Sequence, residues 1–244
     1  FQPPEIAIEA FTRAMREGRN KYTTTAGLPE LRRKIASMWH HLVPTLDESN
    51  ICITMSGTNA LLDIFLATVN PGDKVMIPEP YFPLYPPDVI ICGGQPSFYP
   101  CKFENGFVPT ISDLEEIVDD NTVAILYNFP SNPTGGNVNE EQRDELIAFA
   151  KENDLWVITD EVYDRIVYDA PHVSFVGAGY DKVIMVQSFS KTFAMTGWRI
   201  GYLLSPDEEA MEQLTKMQYY VTACSNDAMQ HAVLQALEKA PDYP

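Results

Sequence analysis

Apolar residues follow two different periods along the chain. Six short runs are continuously apolar and rich in β-branched residues, a pattern typical of strands that are buried on both faces of a sheet. These runs are residues 51–54, 74–78, 122–128, 155–159, 182–188 and 200–204. Longer segments between them place an apolar residue at every third or fourth position, which is the period of a helix with one buried face.

Residues 28–42 and 139–153 show the helical period most clearly. The residues predicted to face inward are Leu31, Ile35, Met38 and Leu42 in the first segment, and Leu146, Phe149 and Ala150 in the second. Pro29 stands near the first turn of the earlier segment, where a missing N–H is tolerated. Strands that alternate with helices predict an α/β fold, with a mostly parallel mixed sheet sandwiched by helices.

The composition and net charge limit the kinds of molecule that the protein is expected to bind. The 244 residues are 45% hydrophobic and 21% charged, which is ordinary for one large globular domain or two small ones. The formal net charge of -17 opposes binding to nucleic acid or to an anionic membrane surface, because both require an excess of Lys and Arg. We therefore expect neither partner.

The cysteine spacing and the absence of long apolar runs bear on where in the cell the protein is located. Cys52, Cys92, Cys101 and Cys224 show neither C-x-x-C spacing nor the density of a disulfide scaffold, which favours reduced thiols. No apolar run approaches the roughly 18 residues of a membrane span. The opening "FQPPEIAIEA" carries neither a basic region nor a hydrophobic signal core. These features predict a cytoplasmic protein.

Ligands of open parallel sheets bind beyond the carboxyl ends of the strands, so the residues after each apolar run carry the most functional information. Ser56, Gly57 and Thr58 follow the first run and open a helix, where free N–H groups favour a phosphate. The alternative is a plain N-cap. Asn132 follows the third run within "PSNPTGG", whose prolines and glycines fix a turn, and the alternative is a simple loop.

Two further strand ends carry ionisable groups. Asp160 and Tyr163 follow the run that ends at residue 159, where the carboxylate could cap a turn or join Glu161 in a metal site. The metal site is disfavoured, because no His or further carboxylate nearby has ligand spacing. Ser188, Lys191 and Arg199 follow next.

Lys191 has two other interpretations. It could be a solvated surface charge, which is the usual environment of a lysine. With Ser188 it also matches the S-x-x-K pattern of serine acylases, but no K-T-G partner follows.

Taken together, the strand ends combine an amine nucleophile, Lys191, with residues suited to a phosphate and with one isolated acid, Asp160. The phosphate residues are Ser56, Gly57, Thr58, Ser188 and Arg199. An amine beside a phosphate site indicates an aldehyde cofactor held as a Schiff base, and an acid suits a protonated pyridine nitrogen. The sequence therefore predicts pyridoxal 5'-phosphate as the cofactor.

Five segments resemble, in order and in spacing, the class I/II aminotransferases, which are aspartate aminotransferase-like enzymes of the fold type I pyridoxal-phosphate superfamily. They are "YTTTAGLPELR", "PGDKVMIPEPYFPLYP", "NFPSNPTGG", "ITDEVYDRIVY" and "SFSKTFAMTGWRIGY". The resemblance covers nearly the whole chain and implies the large, cofactor-binding domain of such an enzyme. Residues 1–20 are expected to form a helical lead-in to that domain.

The resemblance also implies a role for each site residue. Lys191 would form the internal aldimine, and Asp160 would bond the pyridinium nitrogen. Tyr163 and Asn132 would bond the phenolic oxygen of the cofactor, and Asn132 would also contact the substrate carboxylate. The ring of Phe82 would stack on the pyridine face.

The phosphate is expected to bind residues from two subunits. Ser188, Arg199 and the amides around Gly57 and Thr58 would hold it within one chain, and Tyr22 would reach it from the partner subunit of a homodimer.

The activity implied is transfer of the amino group of an L-amino acid to a 2-oxoacid in two half-reactions. A carbon–sulfur β-lyase and a cyclopropane-carboxylate synthase of the same fold are alternatives, because they share the lysine, aspartate and arginine. A ligand-sensing domain of a transcription regulator is a further alternative, which the net charge of -17 disfavours.

Relative to the family, the chain is expected to lack an N-terminal arm and a C-terminal small domain. The small domain carries the arginine that binds the substrate α-carboxylate, so residues 1–244 by themselves are expected to be inactive.

Overall fold

The computed structural model describes residues 1–243, which form nine α-helices, seven β-strands and two short 3-10 helices. The α-helices are α1 (Glu5–Arg16), α2 (Pro29–Trp39), α3 (Gly57–Thr68), α4 (Tyr85–Ile91), α5 (Ile111–Glu115), α6 (Glu140–Glu152), α7 (Phe189–Thr192), α8 (Glu208–Thr222) and α9 (Asp227–Lys239). The strands are β1 (Ile51–Thr54), β2 (Lys74–Glu79), β3 (Gln95–Pro100), β4 (Thr122–Asn128), β5 (Trp156–Asp160), β6 (Val183–Ser188) and β7 (Gly201–Leu204).

The strands belong to one seven-stranded sheet in the order β1-β7-β6-β5-β4-β2-β3 within the described residues. The pairs β2 with β3, β2 with β4 and β4 with β5 are parallel. The pair β1 with β7 is antiparallel. The predicted mostly parallel mixed sheet is confirmed.

The chain divides into two compact units. Unit 1 comprises residues 1–63 and the segment from Val186 onward, and unit 2 comprises residues 64–185. In unit 1, α1 packs on α9, and α2 and α8 pack on β1. Small residues make the close approach of α1 possible, because its buried face consists of Ala7, Ala10 and Ala14.

Unit 2 is built around β5, β4, β2 and β3, against which α4 and α6 pack. Three tyrosines, Tyr85, Tyr99 and Tyr127, are among its largest fully buried side chains. A buried phenol requires a hydrogen-bond partner. The hydroxyl of Tyr99 donates to the carbonyl of Leu126 at 2.7 Å, and that of Tyr127 donates to the carbonyl of Leu146 at 3.3 Å.

All six apolar runs are strands, with bounds within one residue of those predicted. Strand β3 and helix α4 are among the elements that were not predicted. Strand β3 contains two prolines, which an edge strand tolerates because its outer N–H groups pair with no neighbour. Helix α4 has Pro86 and Pro87 in its first turn, where N–H groups lack intrahelical acceptors in any case.

Helix α6 buries the three predicted residues and also Ile147. Helix α2 is shorter than predicted, because it ends at Trp39 and leaves Leu42 outside. Residues 40–42 form a turn, and Pro44 disfavours helical backbone at Val43, so the helix does not resume after that turn.

Among residues 1–243, no helix combines the length and the apolar character needed to cross a membrane.

Candidate functional site

Asp160 ends β5 in unit 2 and is only 6% exposed. The hydroxyl of Tyr85 donates to its Oδ2 atom at 2.8 Å, and the backbone N–H of Val162 donates to its Oδ1 atom at 3.3 Å. Burial, together with the charge and hydrogen bond of Asp160, raises the pKa of Tyr85 well above its ordinary value. The phenol therefore keeps its proton and acts as a donor to the carboxylate.

Asn128 joins the loop of Asn132 to the end of β5. Its side-chain amide donates to the carbonyl of Asp160 at 2.9 Å, and its side-chain oxygen accepts from the backbone N–H of Asn132 at 2.7 Å. Asn128 lies opposite Asp160 in the register of β4 and β5. The structure thus brings the predicted residues Asn132 and Asp160 together through a residue that was not predicted.

The predicted aromatic residues of unit 2 also lie near Tyr85. The ring of Phe82 meets the ring of Tyr85 edge to face, with centroids 5.6 Å apart and an interplanar angle of 70°. Tyr163 is half-buried, and it lies close enough to Tyr85 to contribute to the raised pKa of that phenol. Tyr85 is therefore the common neighbour of Phe82, Asp160 and Tyr163.

Glu161 faces partners different from those of Asp160. It is fully buried, and its Oε1 atom accepts from the Thr159 hydroxyl and from the backbone N–H of Phe175, both at 3.1 Å. Its Oε2 atom lies 2.7 Å from Nε2 of His172. Burial of His172 opposes its protonation, but the hydrogen bond and the charge of Glu161 outweigh that effect and raise its pKa.

The His172–Glu161 pair predicts a pH-dependent stability. Because the pKa of His172 is raised in the folded state, protonation contributes stability below the unfolded value of about 6.5, and that contribution is lost as pH rises through the folded pKa. Replacing His172 with Gln should lower the free energy of unfolding by about 3 kcal/mol near pH 5.5, the usual effect of breaking a buried ion pair, and by less near pH 9. Urea unfolding of full-length protein measures the difference, with exposed His41→Gln as control. Equal losses at both pH values would contradict it.

Unit 1 carries the residues predicted to hold a phosphate. Ser56 is buried, and its hydroxyl oxygen accepts from the backbone N–H of Asn59 at 3.0 Å, so Ser56 caps α3. The cap does not use the hydroxyl proton of Ser56, which can still be donated to an anion. Gly57 is buried, and Thr58 is exposed.

Gly201 is in unusually close contact with the start of α3. A Cβ atom added at Gly201 would lie 2.6 Å from the carbonyl oxygen of Gln187 and 3.0 Å from the backbone nitrogen of Gly57. No side chain fits there, because both neighbours are backbone atoms. The lack of a side chain at Gly201 therefore lets β7 run directly against the Ser56–Gly57 turn.

Ser188, Lys191 and Arg199 lie within one short segment of unit 1. Ser188 caps α7 by accepting from the backbone N–H of Ser190 at 3.2 Å, and Lys191 is exposed on that helix. Arg199 has a φ of 57°, which is uncommon for a residue other than glycine. Its guanidinium donates to the carbonyl of Thr196 at 3.0 Å. This contact holds the side chain of Arg199 back along its own loop.

Tyr22 lies on a different part of unit 1. Its side chain is 88% exposed, and it lines a surface cavity of about 830 Å³ with Arg19, Ser225 and Asp227.

The whole described chain, residues 1–243, matches the family model of class I and II aminotransferases. The chain belongs to this family. The resemblance expected from five sequence segments is thereby confirmed, and so is the expected fold type I, since solved aspartate aminotransferases share the fold.

Individual aminotransferases show the extent of the similarity. The chain is 34% identical to the aspartate aminotransferase of Thermotoga maritima, over 100% of this chain and 65% of that protein. It is 35% identical to aromatic-amino-acid aminotransferase 2 of Thermococcus litoralis, over 97% of this chain and 62% of that protein. A mutant of Thermus thermophilus aspartate aminotransferase superposes with a TM-score of 0.94 at 32% identity, over 99% of this chain and 63% of that one. The chain therefore spans slightly less than two thirds of these aminotransferases.

Two residues of the candidate site, Tyr85 and Asn128, were not predicted from the sequence. Asn128 carried a weak signal, because it is the polar residue that closes a buried apolar strand. Tyr85 carried none, since a tyrosine between prolines looks like any other loop residue.

The close contact of Gly201 with the Ser56–Gly57 turn can be tested by adding a side chain. Gly201→Ala should destabilise the full-length protein by about 2 kcal/mol, because the added methyl group must displace the backbone of Gln187 or Gly57. Gly197→Ala is the matched control, because a Cβ at Gly197 would meet nothing within 4 Å. Chemical denaturation measures both changes, and equal effects would show that the turn has room for a side chain.

Proposed function

We propose that the protein containing this chain is a pyridoxal-phosphate-dependent aminotransferase that transfers the amino group of an L-amino acid to a 2-oxoacid. The observation that carries the proposal is the buried carboxylate of Asp160, oriented by a neutral phenol, in a chain that belongs to the class I and II aminotransferases. A buried anion with a neutral donor as its partner suits a protonated ring nitrogen.

Each group of the cofactor has residues of suitable chemistry in this chain. Suitable donors for the phosphate are the N-terminal amides of α3 with Gly57 and Thr58, the hydroxyls of Ser56 and Ser188, and the guanidinium of Arg199. The aldehyde suits the amine of Lys191. The pyridine ring suits the half-buried ring of Phe82, and its phenolic oxygen suits Asn132 and Tyr163.

When bound, the cofactor supplies an electron sink for the pair of electrons left at the substrate Cα atom. Lys191 would take the proton from Cα and return it to the cofactor's C4' atom, so one amine serves as base and then as acid. Asp160 would keep the ring nitrogen protonated through its negative charge. Asn132 would bind the substrate carboxylate and thereby orient the Cα–H bond.

The partners proposed are a second copy of the protein and the two substrates. Tyr22 would reach the phosphate bound by the partner subunit, which agrees with its 88% exposure. The relatives include an aspartate aminotransferase and an aromatic-amino-acid aminotransferase, so aspartate and aromatic amino acids both belong among the substrates to be tested. The assignment of residues 1–244 to one large domain and the cytoplasmic location stay predictions.

The decisive experiment uses full-length protein loaded with pyridoxal 5'-phosphate. A panel of L-amino acids should convert the bound cofactor to its amine form and release the matching 2-oxoacid, and 2-oxoglutarate or pyruvate should reverse the change. A β-lyase or a cyclopropane-forming enzyme would release its product without leaving the amine form behind. A protein that binds no cofactor would contradict the proposal altogether.

A further inference from the structure

Tyr85 occupies a fully enclosed position at the first turn of α4, with 1% of its surface exposed. Its hydroxyl lies 2.8 Å from Oδ2 of Asp160, which is itself 6% exposed. A hydrogen bond between a buried phenol and a buried carboxylate is charge-assisted, and such bonds are stronger than those between neutral groups. This contact therefore restrains the plane of the Asp160 carboxylate.

The Tyr85 hydroxyl acts on the Asp160 carboxylate only as a hydrogen-bond donor. The pKa of Tyr85 is raised well above its ordinary value by burial and by Asp160, so the phenol does not ionise at neutral pH. As a neutral donor it stabilises the charged form of Asp160 without cancelling its charge. A carboxylate that accepts such a hydrogen bond is a weaker base, so a proton shared with a ring nitrogen favours the nitrogen.

The ring of Tyr85 makes a second contact, independent of the hydroxyl. It meets Phe82 edge to face at 5.6 Å, and the backbone N–H of Tyr85 donates to the carbonyl of Phe82 at 3.1 Å. Edge-to-face contacts of this kind favour one orientation of the two rings. The aromatic ring proposed for one face of the pyridine and the acid proposed for its nitrogen are thus aligned by the same side chain.

We propose that Tyr85 is a positioning residue of the cofactor site, which holds Asp160 as an oriented anion through its hydroxyl and supports Phe82 through its ring. The proposal rests on the proposed function. It assigns to α4, a helix that the sequence did not predict, the alignment of two groups that act on the cofactor ring.

The test compares two tyrosines of unit 2 in full-length protein. Tyr85→Phe keeps the ring against Phe82 and removes only the hydroxyl. Tyr99→Phe is the matched control, because Tyr99 is equally buried but its hydroxyl donates to a backbone carbonyl, that of Leu126. Both variants are loaded with pyridoxal 5'-phosphate labelled with 15N in the ring.

We expect Tyr85→Phe to slow removal of the substrate α-proton by about 10- to 100-fold, the usual effect of losing one hydrogen bond to a charged group. The KM should change by less than about threefold, because the hydroxyl does not contact the substrate. The 15N resonance of the ring should move toward that of the unprotonated nitrogen. Tyr99→Phe should leave the rate and the resonance near those of the wild type.

A double-mutant cycle tests whether Tyr85 acts through Asp160. In an Asp160→Asn background, Tyr85→Phe should cause little further loss of rate, because the charge that the hydroxyl stabilises is already absent. Independent, multiplicative losses would overturn the proposal.

A second measurement does not depend on the folding of Tyr85→Phe. Incorporation of 3-fluorotyrosine at position 85 keeps the ring and the hydroxyl but makes the hydroxyl a stronger donor, so the 15N resonance should move the opposite way, toward full protonation. A resonance that is unchanged in both variants would overturn the proposal. The wild-type protein is the reference. If it binds the cofactor and converts it with amino acids, the proposed function holds, and an unchanged resonance contradicts only the role of Tyr85.

Discussion

Replacement of Lys191 with alanine should abolish transamination by the full-length protein and leave the binding of pyridoxal 5'-phosphate measurable but noncovalent. We expect a loss of at least about 10⁴-fold in kcat, because one change removes both the covalent attachment and the base that moves the α-proton. The phosphate donors proposed in unit 1, Ser56, Ser188 and Arg199, stay in place. As proposed, these donors would still hold the cofactor without a covalent bond.

Borohydride reduction followed by peptide mapping measures the covalent half of this prediction. The wild type should carry the label on the peptide that contains Lys191, and the variant should carry none. Lys216→Ala is the control, because Lys216 also lies in unit 1 and forms a surface ion pair with Glu212. Label on any other lysine would show that Lys191 has been assigned the wrong role.

Asp160→Asn should leave the cofactor bound but slow removal of the substrate α-proton by about 10²- to 10³-fold. Asparagine matches aspartate in size, and its side-chain oxygen can still accept from the Tyr85 hydroxyl, so the buried site keeps its shape. The substitution removes the negative charge that keeps the ring nitrogen protonated. The loss should therefore appear in kcat and in kcat/KM alike.

Exchange of the substrate α-proton with deuterated solvent, followed by NMR, measures this step directly. Asp88→Asn is the matched control, since Asp88 is also a buried carboxylate of unit 2, and burial raises its pKa to about 6. Its replacement should change exchange by less than about threefold, because no role in proton transfer is proposed for it. Equal losses in the two variants would show that the effect of Asp160→Asn is general destabilisation.

The strands that could be predicted from the sequence are those whose burial is uniform. Each of the six apolar runs is buried along nearly its whole length, so local composition alone distinguishes it from a helix with one apolar face. Strand β3 and helix α4 lack that uniformity. Prolines are consistent with an edge strand or with a first helical turn, and the choice depends on neighbours far along the chain.

The candidate site residues also fall into those that the sequence indicated and those that it did not. Lys191, Asp160 and Asn132 could be proposed as site residues because ligands of parallel sheets bind at strand ends and because their segments resemble a known family. Tyr85 and Asn128 lie within two of the same segments but were given no role, because their partner Asp160 lies 75 and 32 residues away, respectively. A pattern of neighbouring residues does not reveal contacts between residues so far apart in the chain.

The sequence by itself determined six of the seven strands, the helices α2 and α6 and the family, because each of these depends on residues close together in the chain. Tertiary structure alone decided which groups meet: that the Tyr85 hydroxyl orients Asp160, that Asn128 ties the Asn132 loop to β5, and that Gly201 must lack a side chain. The physical reason is that hydrogen bonds and steric contacts act over a few ångströms in space, whatever the separation along the chain.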